Sequence, residues 1–513
     1  MRRWARGLTV AVASAMLLAG CAGSADVTES VQPERALDAP PAGLERYYGQ
    51  DFEWSTCPEG VEGASEDDLC GKFRAPKDYA NPDAGDLEVM AVRHAEGKNP
   101  KRVLFVNPGG PGGSAVNFVA ENAGGLLSEE MRQEFAVIGM DSRGTQWSTP
   151  VKCLDSAEMD ALNEEPSKDG FDPQQLKELQ TQAREFGEAC LRHGDTAKWM
   201  DTASAARDMD ILRHLAGAAK LDYLGFSYGT HLGAQYADLF PGHVGSMVLD
   251  GPVDPTVSFE ELSALQARGF TESVQHYLEW CKQQGECPLK SGQEGLEQLG
   301  VYFKGLDTHP QVVGSRKLTG SLAASAVFGG MYSQSWWPQL RRALERSLMH
   351  NDGSMLLSIS DIMNDRLTDG TYKTNQQEAF WAIHGLDYPI NQDPSKWREN
   401  AEEIKQITPH LYEYFAWADA QRANWPVKPK KQELKPLHAK GAPKIMVIGT
   451  THDPATPYVM AQGLAKQLDS GVLVTNEGWN HTAYSQAADA CIRNTVEDFF
   501  LKFVIPRDGT TCG

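Results

Sequence analysis

The chain has 513 residues, of which 48 are basic and 69 acidic, so its formal net charge is −21. Such an acidic chain is poorly suited to bind nucleic acid, and its charge favours solubility without constraining the fold. About 490 residues remain after the N-terminal segment described next, which is more than one compact core usually holds, so two structural units are expected.

The first 20 residues have the features of an export signal. Three arginines precede an apolar run at 8–19, which is too short to span a bilayer that needs about 20 residues. The run ends in Leu-Leu-Ala-Gly-Cys at 17–21, which resembles the bacterial lipoprotein signal, in which the cysteine becomes the lipidated first residue after cleavage. An ordinary secretory signal with an incidental Cys21 is the alternative. Both interpretations predict an exported protein, either secreted or anchored to the cell membrane through a lipid on Cys21.

The other cysteines agree with export. Eight remain when Cys21 is set aside, an even number that can pair fully in an oxidising compartment. Eight cysteines allow 105 pairings, so proximity only suggests the pairs. The suggested pairs are Cys57 with Cys70, Cys153 with Cys190, Cys281 with Cys287, and Cys491 with Cys512. A zinc site is the competing interpretation, but the spacing lacks Cys-x-x-Cys or a Cys/His cluster.

Short apolar runs predict strands, and helical stretches lie between several of them. The predicted strands are Glu88 to His94, Arg102 to Val106, Phe135 to Met140, Leu221 to Leu224, Gly245 to Leu249, Lys444 to Ile448 and Gly471 to Thr475. Helices are expected at Thr202 to Leu215 and Thr230 to Leu239. Alternating strands and helices indicate an α/β fold, with a mostly parallel sheet covered by helices on both faces.

The strand series is interrupted by an interval with helical spacing and no clear strand run. The sequence therefore predicts a flexible tether at 21–45, a core in two parts at 46–255 and 437–513, and an inserted helical cap at 256–436.

A serine lies where a predicted strand gives way to a predicted helix. Gly225-Phe226-Ser227-Tyr228-Gly229 has the Gly-x-Ser-x-Gly pattern of a nucleophile elbow, whose sharp turn leaves no room for a Cβ two residues to either side of the serine. The pattern recurs by chance, but this strand-to-helix context makes Ser227 the predicted nucleophile.

An acid and a base are predicted after the cap. Asp453 and His481 both lie where a strand gives way to a loop, and the order Ser227, Asp453, His481 is that of α/β-hydrolases. The aspartate would orient the imidazole, and the histidine would take the Ser227 proton. Asp250, at the end of an earlier strand, is the alternative acid. His452 and His231 are the alternative bases.

A glycine-rich loop follows the strand Arg102 to Val106. It reads Asn-Pro-Gly-Gly-Pro-Gly-Gly-Ser at 107–114, and its backbone can approach a bound carbonyl closely. The predicted oxyanion hole combines the Tyr228 N–H with the N–H of Gly110, or alternatively Gly109. A phosphate-binding loop is disfavoured because no Gly-Lys-Ser/Thr follows and the prolines remove two amides.

Four motifs together resemble the actinobacterial tripeptidyl aminopeptidases, which are α/β-hydrolase serine peptidases related to prolyl aminopeptidases. They are the glycine-rich loop at 107–114, Asp-Ser-Arg-Gly-Thr at 141–145 with Ser148-Thr149-Pro150 and Cys153, the elbow with Thr230, and Asp-Pro-Ala-Thr-Pro at 453–457. The resemblance runs from about Trp54 to the C-terminus and is weakest in the cap. Ala115 and Gln146 depart from it where glycine is common.

The resemblance implies a fold, a substrate class and a reaction. It implies an α/β-hydrolase that releases short N-terminal peptides, tripeptides above all, from peptides with a free amino terminus through an acyl-enzyme. It implies no metal and no organic cofactor. Relatives of this kind bind the substrate ammonium through carboxylates in or under the cap, for which Glu260 and Glu261 are candidates. A carboxylesterase or lipase with the same triad is the alternative, and a non-catalytic binding protein is a third hypothesis.

Overall fold

The computed structural model describes residues 37–96, 100–430 and 433–513. The expected signal peptide at 1–20, the expected lipidation site Cys21 and the part of the tether before residue 37 lie outside the described residues. Among those that are described, none of the helices is both long and apolar enough to cross a membrane.

A ten-stranded sheet forms the centre of the described chain. Its strand order is β1-β2-β3-β5-β4-β6-β7-β10-β11-β12, and a separate two-stranded hairpin contains β8 and β9. The strands are β1 (Ser55–Thr56), β2 (Asp68–Pro76), β3 (Asp86–His94), β4 (Arg102–Asn107), β5 (Phe135–Met140), β6 (Leu221–Phe226), β7 (Val244–Asp250), β8 (Gln311–Val313), β9 (Arg316–Leu318), β10 (Ile445–Thr450), β11 (Gly471–Asn476) and β12 (Thr510–Cys512). Strands β1, β2 and β3 pair antiparallel, β3 joins β5 antiparallel, and all later pairs in the sheet are parallel.

Helices cover both faces of this sheet. They are α1 (Glu45–Tyr48), α2 (Ala115–Leu126), α3 (Glu129–Glu134), α4 (Ser156–Glu164), α5 (Pro173–Cys190), α6 (Thr202–Leu215), α7 (Tyr228–Leu239), α8 (Phe259–Gln283), α9 (Gly292–Thr308), α10 (Gly320–Gly329), α11 (Trp337–His350), α12 (Ser354–Met363), α13 (Gln376–Asp387), α14 (Pro394–Ile407), α15 (Ala418–Arg422), α16 (Tyr458–Gln467) and α17 (Ala490–Lys502).

Side chains of each central strand alternate between two hydrophobic clusters. Tyr223 and Leu249 pack into the cluster beneath α6 and α7, whereas their neighbours Leu224 and Val248 pack into the cluster beneath α2 and α17. Because both faces are buried, such strands are short and continuously apolar, and this is the pattern that the sequence displays.

The seven predicted strands are confirmed, each within two residues at either end. Strands β1, β2 and β12 were not predicted. Strand β2 carries a glycine and ends in proline, and its exposed positions are charged, so it has no apolar run. Strand β12 has only three residues and is specified by pairing with β11.

Between β7 and β10 the chain forms helices α8 to α15 and the hairpin β8–β9. The hairpin corrects the expectation that this interval has no strands. A separate hydrophobic cluster, which includes Val274, Leu340 and Leu356, lies among these helices. Residues 37–513 nevertheless form one compact unit, so the division into core and cap at 256 and 436 stays a prediction.

The four disulfides suggested by proximity are confirmed: Cys57–Cys70, Cys153–Cys190, Cys281–Cys287 and Cys491–Cys512. Each closes a loop of at most 37 residues, and a disulfide typically contributes about 2–4 kcal/mol to stability. Disulfides persist in oxidising compartments, so these four indicate an exported protein.

Candidate active site

Ser227 occupies the turn between β6 and α7. Its φ of 54° and ψ of −125° lie in a region that non-glycine residues rarely adopt. The turn is held by two backbone contacts: the Ser227 N–H donates to the Asp250 carbonyl at 2.9 Å, and the Thr230 N–H donates to the Ser227 carbonyl at 2.9 Å. Ser227 remains partly exposed between buried neighbours. This is the geometry of a nucleophile elbow.

The two elbow glycines are required by close packing. A Cβ on Gly225 would lie 2.5 Å from the Gly229 carbonyl oxygen, and a Cβ on Gly229 would lie 2.7 Å from the Asn107 carbonyl oxygen. Both are backbone contacts that cannot move aside cheaply. The pattern in the sequence therefore has a steric cause.

His481 is hydrogen-bonded to Asp453. The His481 Nδ1 lies 2.9 Å from both carboxylate oxygens of Asp453. A carboxylate only accepts hydrogen bonds, so Nδ1 carries the proton and Nε2 is left as an acceptor. This tautomer is the one that a general base needs.

Asp453 is fixed by the loop that follows β10. It is 2% exposed. Its Oδ1 accepts the N–H groups of Ala455 at 2.9 Å and Thr456 at 2.8 Å, and its Oδ2 accepts the Thr456 hydroxyl at 3.0 Å. These donors satisfy a buried carboxylate while it faces the imidazole.

The electrostatic environment favours the charged form of His481. Burial of the ring opposes its charge, but the charge and hydrogen bond of Asp453, with a further contribution from Asp250, outweigh burial and hold the pKa of His481 above its ordinary value. The side chain is 9% exposed. The imidazolium that forms during proton transfer is therefore stabilised.

Asp250, the alternative acid, has a different set of partners. Its carboxylate accepts the N–H groups of Ala483, at 2.9 and 3.0 Å, and Tyr484, at 2.7 Å. No hydrogen bond joins it to the His481 ring among the described contacts. Burial raises the pKa of Asp250 to about 6, although the two backbone donors act in the opposite direction.

Asp250 instead connects the two halves of the site. Its carbonyl oxygen holds the Ser227 N–H, and its carboxylate holds the chain two residues after His481. A Cβ on the next residue, Gly251, would lie 3.3 Å from His481 Cε1. Ser227 and His481 thus both adjoin the end of β7. Sequence reasoning noticed Asp250 but did not find this connecting contact, which no local pattern encodes.

The alternative bases also have other surroundings. His452 stacks on Trp479 with ring centres 3.8 Å apart, and His276 of α8 stacks on Trp479 at 3.9 Å. His231 is buried in α7 with its ring 6.1 Å from Tyr228. Neither His452 nor His231 has a recorded bond to a carboxylate among the described residues, whereas His481 does.

The predicted oxyanion donors lie beside Ser227. Tyr228 is the first residue of α7, so its N–H has no acceptor within the helix and lies at the positive end of the helix dipole. A Cβ on Gly109 would lie 2.9 Å from Ser227 Cβ and 3.1 Å from Tyr228 N, which places the glycine-rich loop over the elbow. The Gly109 N–H donates to Asn107 Oδ1 at 3.0 Å. That leaves the Gly110 N–H as the second predicted donor.

The Asp-Ser-Arg motif supports this loop from below. Asp141 accepts the Ser114 hydroxyl at 2.9 Å and the Val116 N–H at 2.9 Å, at the start of α2. Burial raises the pKa of Asp141 to about 6, against the effect of these donors. Arg143 is fully buried and forms a bidentate pair with Asp208 at 2.6 and 2.7 Å. The motif's role is therefore structural.

The insert contacts the His481 loop from above. The His481 N–H donates to the Tyr332 carbonyl at 2.9 Å, and the Tyr332 ring meets the imidazole edge-on at 5.1 Å. The Gln334 N–H donates to Asn480 Oδ1 at 3.1 Å. Helix α13 packs against the glycine-rich loop, since a Cβ on Gly112 would lie 2.7 Å from Ala379 Cβ. The insert thus touches the site on two sides.

The carboxylates considered for the substrate ammonium lie at the start of α8. Glu261 caps this helix: its carboxylate accepts the N–H and hydroxyl of Ser258, both at 2.8 Å. Burial, reinforced by the charge of Asp419, raises the pKa of Glu260 to about 7. The part of α8 that reaches the Asp453 loop begins at Gln266, which donates to the Ala455 carbonyl at 2.9 Å. The structure therefore does not bring either glutamate to the triad.

Comparison with known proteins agrees with this geometry. Residues 102–293 match the family described as alpha/beta hydrolase fold, and residues 408–512 match the family described as TAP-like protein. The chain is 32% identical over 490 residues to the serine protease Hip1 of Mycobacterium tuberculosis, covering 90% of this chain and 91% of the relative.

Two further relatives have other printed names. Carboxylesterase B of M. tuberculosis is 34% identical over 471 residues, with 90% of this chain and 89% of the relative covered. The tripeptidyl aminopeptidase of Streptomyces coelicolor is 25% identical over 464 residues, with 86% and 82% covered. These likenesses confirm the resemblance seen in the motifs. The chain therefore belongs to the TAP-like α/β-hydrolase family, and it is a hydrolase.

Proposed function

We propose that this protein is an exported serine peptidase that releases short N-terminal peptides, principally tripeptides, from peptides with a free amino terminus. The observation that carries the proposal is the pairing of His481 with Asp453 next to a strained Ser227 elbow. The likeness to a serine protease and a tripeptidyl aminopeptidase supplies the substrate class.

The proposed reaction begins at the Ser227 hydroxyl. Its oxygen attacks the scissile carbonyl carbon while His481 Nε2 takes the hydroxyl proton. The new positive charge on the imidazole is stabilised by Asp453 at 2.9 Å. His481 then returns the proton to the leaving amine, the C–N bond breaks, and an acyl-enzyme remains on Ser227.

The negative charge that develops on the carbonyl oxygen is placed at the start of α7. The N–H groups of Tyr228 and Gly110 are the proposed donors, and the helix dipole adds to their effect. Water then attacks the acyl-enzyme with His481 again as base, which releases the peptide acid and restores Ser227.

A panel of tripeptide anilides tests this proposal. Free-amine tripeptide anilides are expected to be cleaved, with release of the intact tripeptide seen by mass spectrometry, and N-acetylated ones to remain uncut. Ser227→Ala is expected to lose about 10³-fold or more of kcat while remaining folded, because Ala has no nucleophile. Equal cleavage of free and blocked peptides would contradict the aminopeptidase proposal, and release of single residues or dipeptides would change the cut site.

A carboxylesterase is the second candidate, favoured by the 34% identical relative of that name. The same triad serves ester and amide substrates, since the fold does not fix the acyl group. Strong turnover of short-chain p-nitrophenyl esters with none of free tripeptide anilides would establish this candidate instead. A folded Ser227→Ala protein inactive on both substrates excludes a non-catalytic binding role.

We also infer that the exported chain is anchored to the cell membrane through a lipid on Cys21. The support is the Leu-Leu-Ala-Gly-Cys sequence at 17–21 and the four disulfides. Metabolic labelling with a fatty acid is expected to mark the wild-type protein and not Cys21→Ser. Label on both proteins, or on neither, would contradict the anchor.

A further inference from the structure

A groove of about 730 Å³ opens at the edge of the sheet where the parallel strands begin. It is lined by the starts of β4, β6 and β7 and by the residues just before β10, among them Arg102, Lys220, Val244 and Lys444. Ser227, Asp453 and His481 all follow the opposite ends of such strands. The groove is therefore on the side of the sheet away from the candidate active site.

An exposed apolar segment borders this groove. Phe503, Val504 and Ile505, directly after α17, are 65%, 51% and 53% exposed. Among the described residues, they form the only run of three consecutive large apolar side chains that are exposed. Two of them, Phe503 and Ile505, line the groove itself. Contiguous apolar surface of this kind marks a protein or membrane contact more often than isolated exposed residues do.

The groove is cationic although the whole chain is acidic. Five basic residues line it, and among the described lining residues Asp222 is the only acid. Asp222 is neutralised by Arg102 at 2.7 Å. The basic lining residues are Arg93, Lys101, Arg102, Lys220 and Lys444. In a chain with net charge −21, this local excess of positive charge suits an anionic surface.

The chain enters the described fold at this same edge. The Asp38 carboxylate lies 3.0 Å from His243 Nε2, and His243 directly precedes Val244 of the groove. Residues 21–36 lie between the proposed lipid attachment and this point. A flexible segment of roughly 16 residues has an average end-to-end distance of about 22 Å, so a lipid on Cys21 would keep this edge close to the bilayer.

We propose that the basic groove and Phe503–Ile505 dock on an anionic phospholipid surface. Apolar side chains that enter the headgroup region beside lysines that attract anionic lipids are the usual components of such a surface. The proposal depends on the anchor only for orientation, since the surface belongs to the folded chain. Docking at this edge directs the opposite edge, with Ser227, away from the bilayer and toward dissolved peptides.

Vesicle co-sedimentation tests the docking surface without the lipid anchor. The mature chain, residues 21–513 with Cys21→Ser, is mixed with vesicles of phosphatidylglycerol and phosphatidylcholine, or of phosphatidylcholine alone. Binding is expected only to the anionic vesicles, and it is expected to weaken as NaCl is raised. A chain that stays in the supernatant with anionic vesicles at low salt would overturn the proposal.

Matched variants locate the surface. Lys101→Glu with Lys444→Glu, and separately Phe503→Ser with Ile505→Ser, are each expected to weaken anionic-vesicle binding at least tenfold. The controls are Val312→Ser and Lys317→Glu on the hairpin β8–β9, where Val312 is 72% exposed. Controls are expected to bind like the parent chain, and all variants to retain hydrolase activity. Equal losses in groove and hairpin variants would refute a docking site at this edge.

Discussion

The elbow and the His481 loop contribute to the same site, but they are built differently. The elbow is local: within 225–230, glycines and a serine in a rare backbone conformation make the turn, and only a few contacts from β4 and β7 are added. The His481 loop is held by distant segments, through Asp453 after β10, Asp250 at the end of β7, and Tyr332 in the insert. A nucleophile can thus be encoded by a short motif, whereas a base has to be assembled by the fold.

Asp453→Asn is expected to have the largest effect among the changes to the His481 loop. An amide can still accept from Ala455 and Thr456, but its NH₂ group would face His481 Nδ1 and favour the wrong tautomer. We expect kcat to fall about 10⁴-fold with little change in melting temperature. Steady-state kinetics and thermal unfolding measure this. A loss below tenfold would show that Asp453 does not orient the base.

Gly229→Ala tests whether the elbow is limited by packing. The added Cβ would lie 2.7 Å from the Asn107 carbonyl oxygen and 2.8 Å from its Oδ1. We expect the free energy of unfolding to fall by about 1–3 kcal/mol, as for other overpacked sites, and activity to fall because the Ser227 turn shifts. Chemical denaturation measures the first effect. Gly305→Ala, where a Cβ meets nothing within 4 Å, is the control, and equal stability of the two variants would contradict the steric argument.

Asp250→Asn tests the connection between the two regions. The charge of Asp250 raises the pKa of His481, and catalysis needs the neutral imidazole, so activity is lost as pH falls through that pKa. We expect the acid limb of kcat/KM in the wild type to lie above the ordinary value of 6.5. In the variant the limb should move to lower pH, with about a tenfold loss of kcat/KM from the disturbed loop.

The matched control for that experiment is Asp222→Asn. Asp222 is also a buried aspartate that accepts a backbone N–H, from Ser246 at 2.7 Å, but it lies at the opposite edge of the sheet. It is expected to reduce stability without moving the pH profile. An acid limb that moves equally in both variants would show that Asp250 has no specific electrostatic effect on His481.

His276→Ala is expected to have the smallest effect. It removes the imidazole that stacks on Trp479 from the insert, two residues before His481. We expect kcat/KM to fall a few-fold, because such an aromatic contact contributes about 0.5–1.5 kcal/mol. His276→Phe should restore most of the activity by keeping a stacked ring. If His276→Phe is as impaired as His276→Ala, stacking is not what positions the loop.

The sequence by itself determined the parts of this protein that depend on neighbours along the chain. The seven apolar strands, helix α6 at Thr202–Leu215, the Ser227 elbow and the four nearest-neighbour disulfides could all be predicted. Each has a local physical cause: buried parallel strands are continuously apolar, and a sharp strand-to-helix turn excludes Cβ atoms.

Only the tertiary structure decided the rest. Asp250 and Asp453 both follow a strand, and only the folded loops show that Asp453 meets the imidazole while Asp250 holds the backbone beyond it. Likewise, the pairing of β12 with β11, the hairpin in the insert and the contact of Tyr332 with His481 follow no local pattern. These features join residues distant in sequence, and their free energy comes from packing and hydrogen bonds that exist only once the sheet has formed.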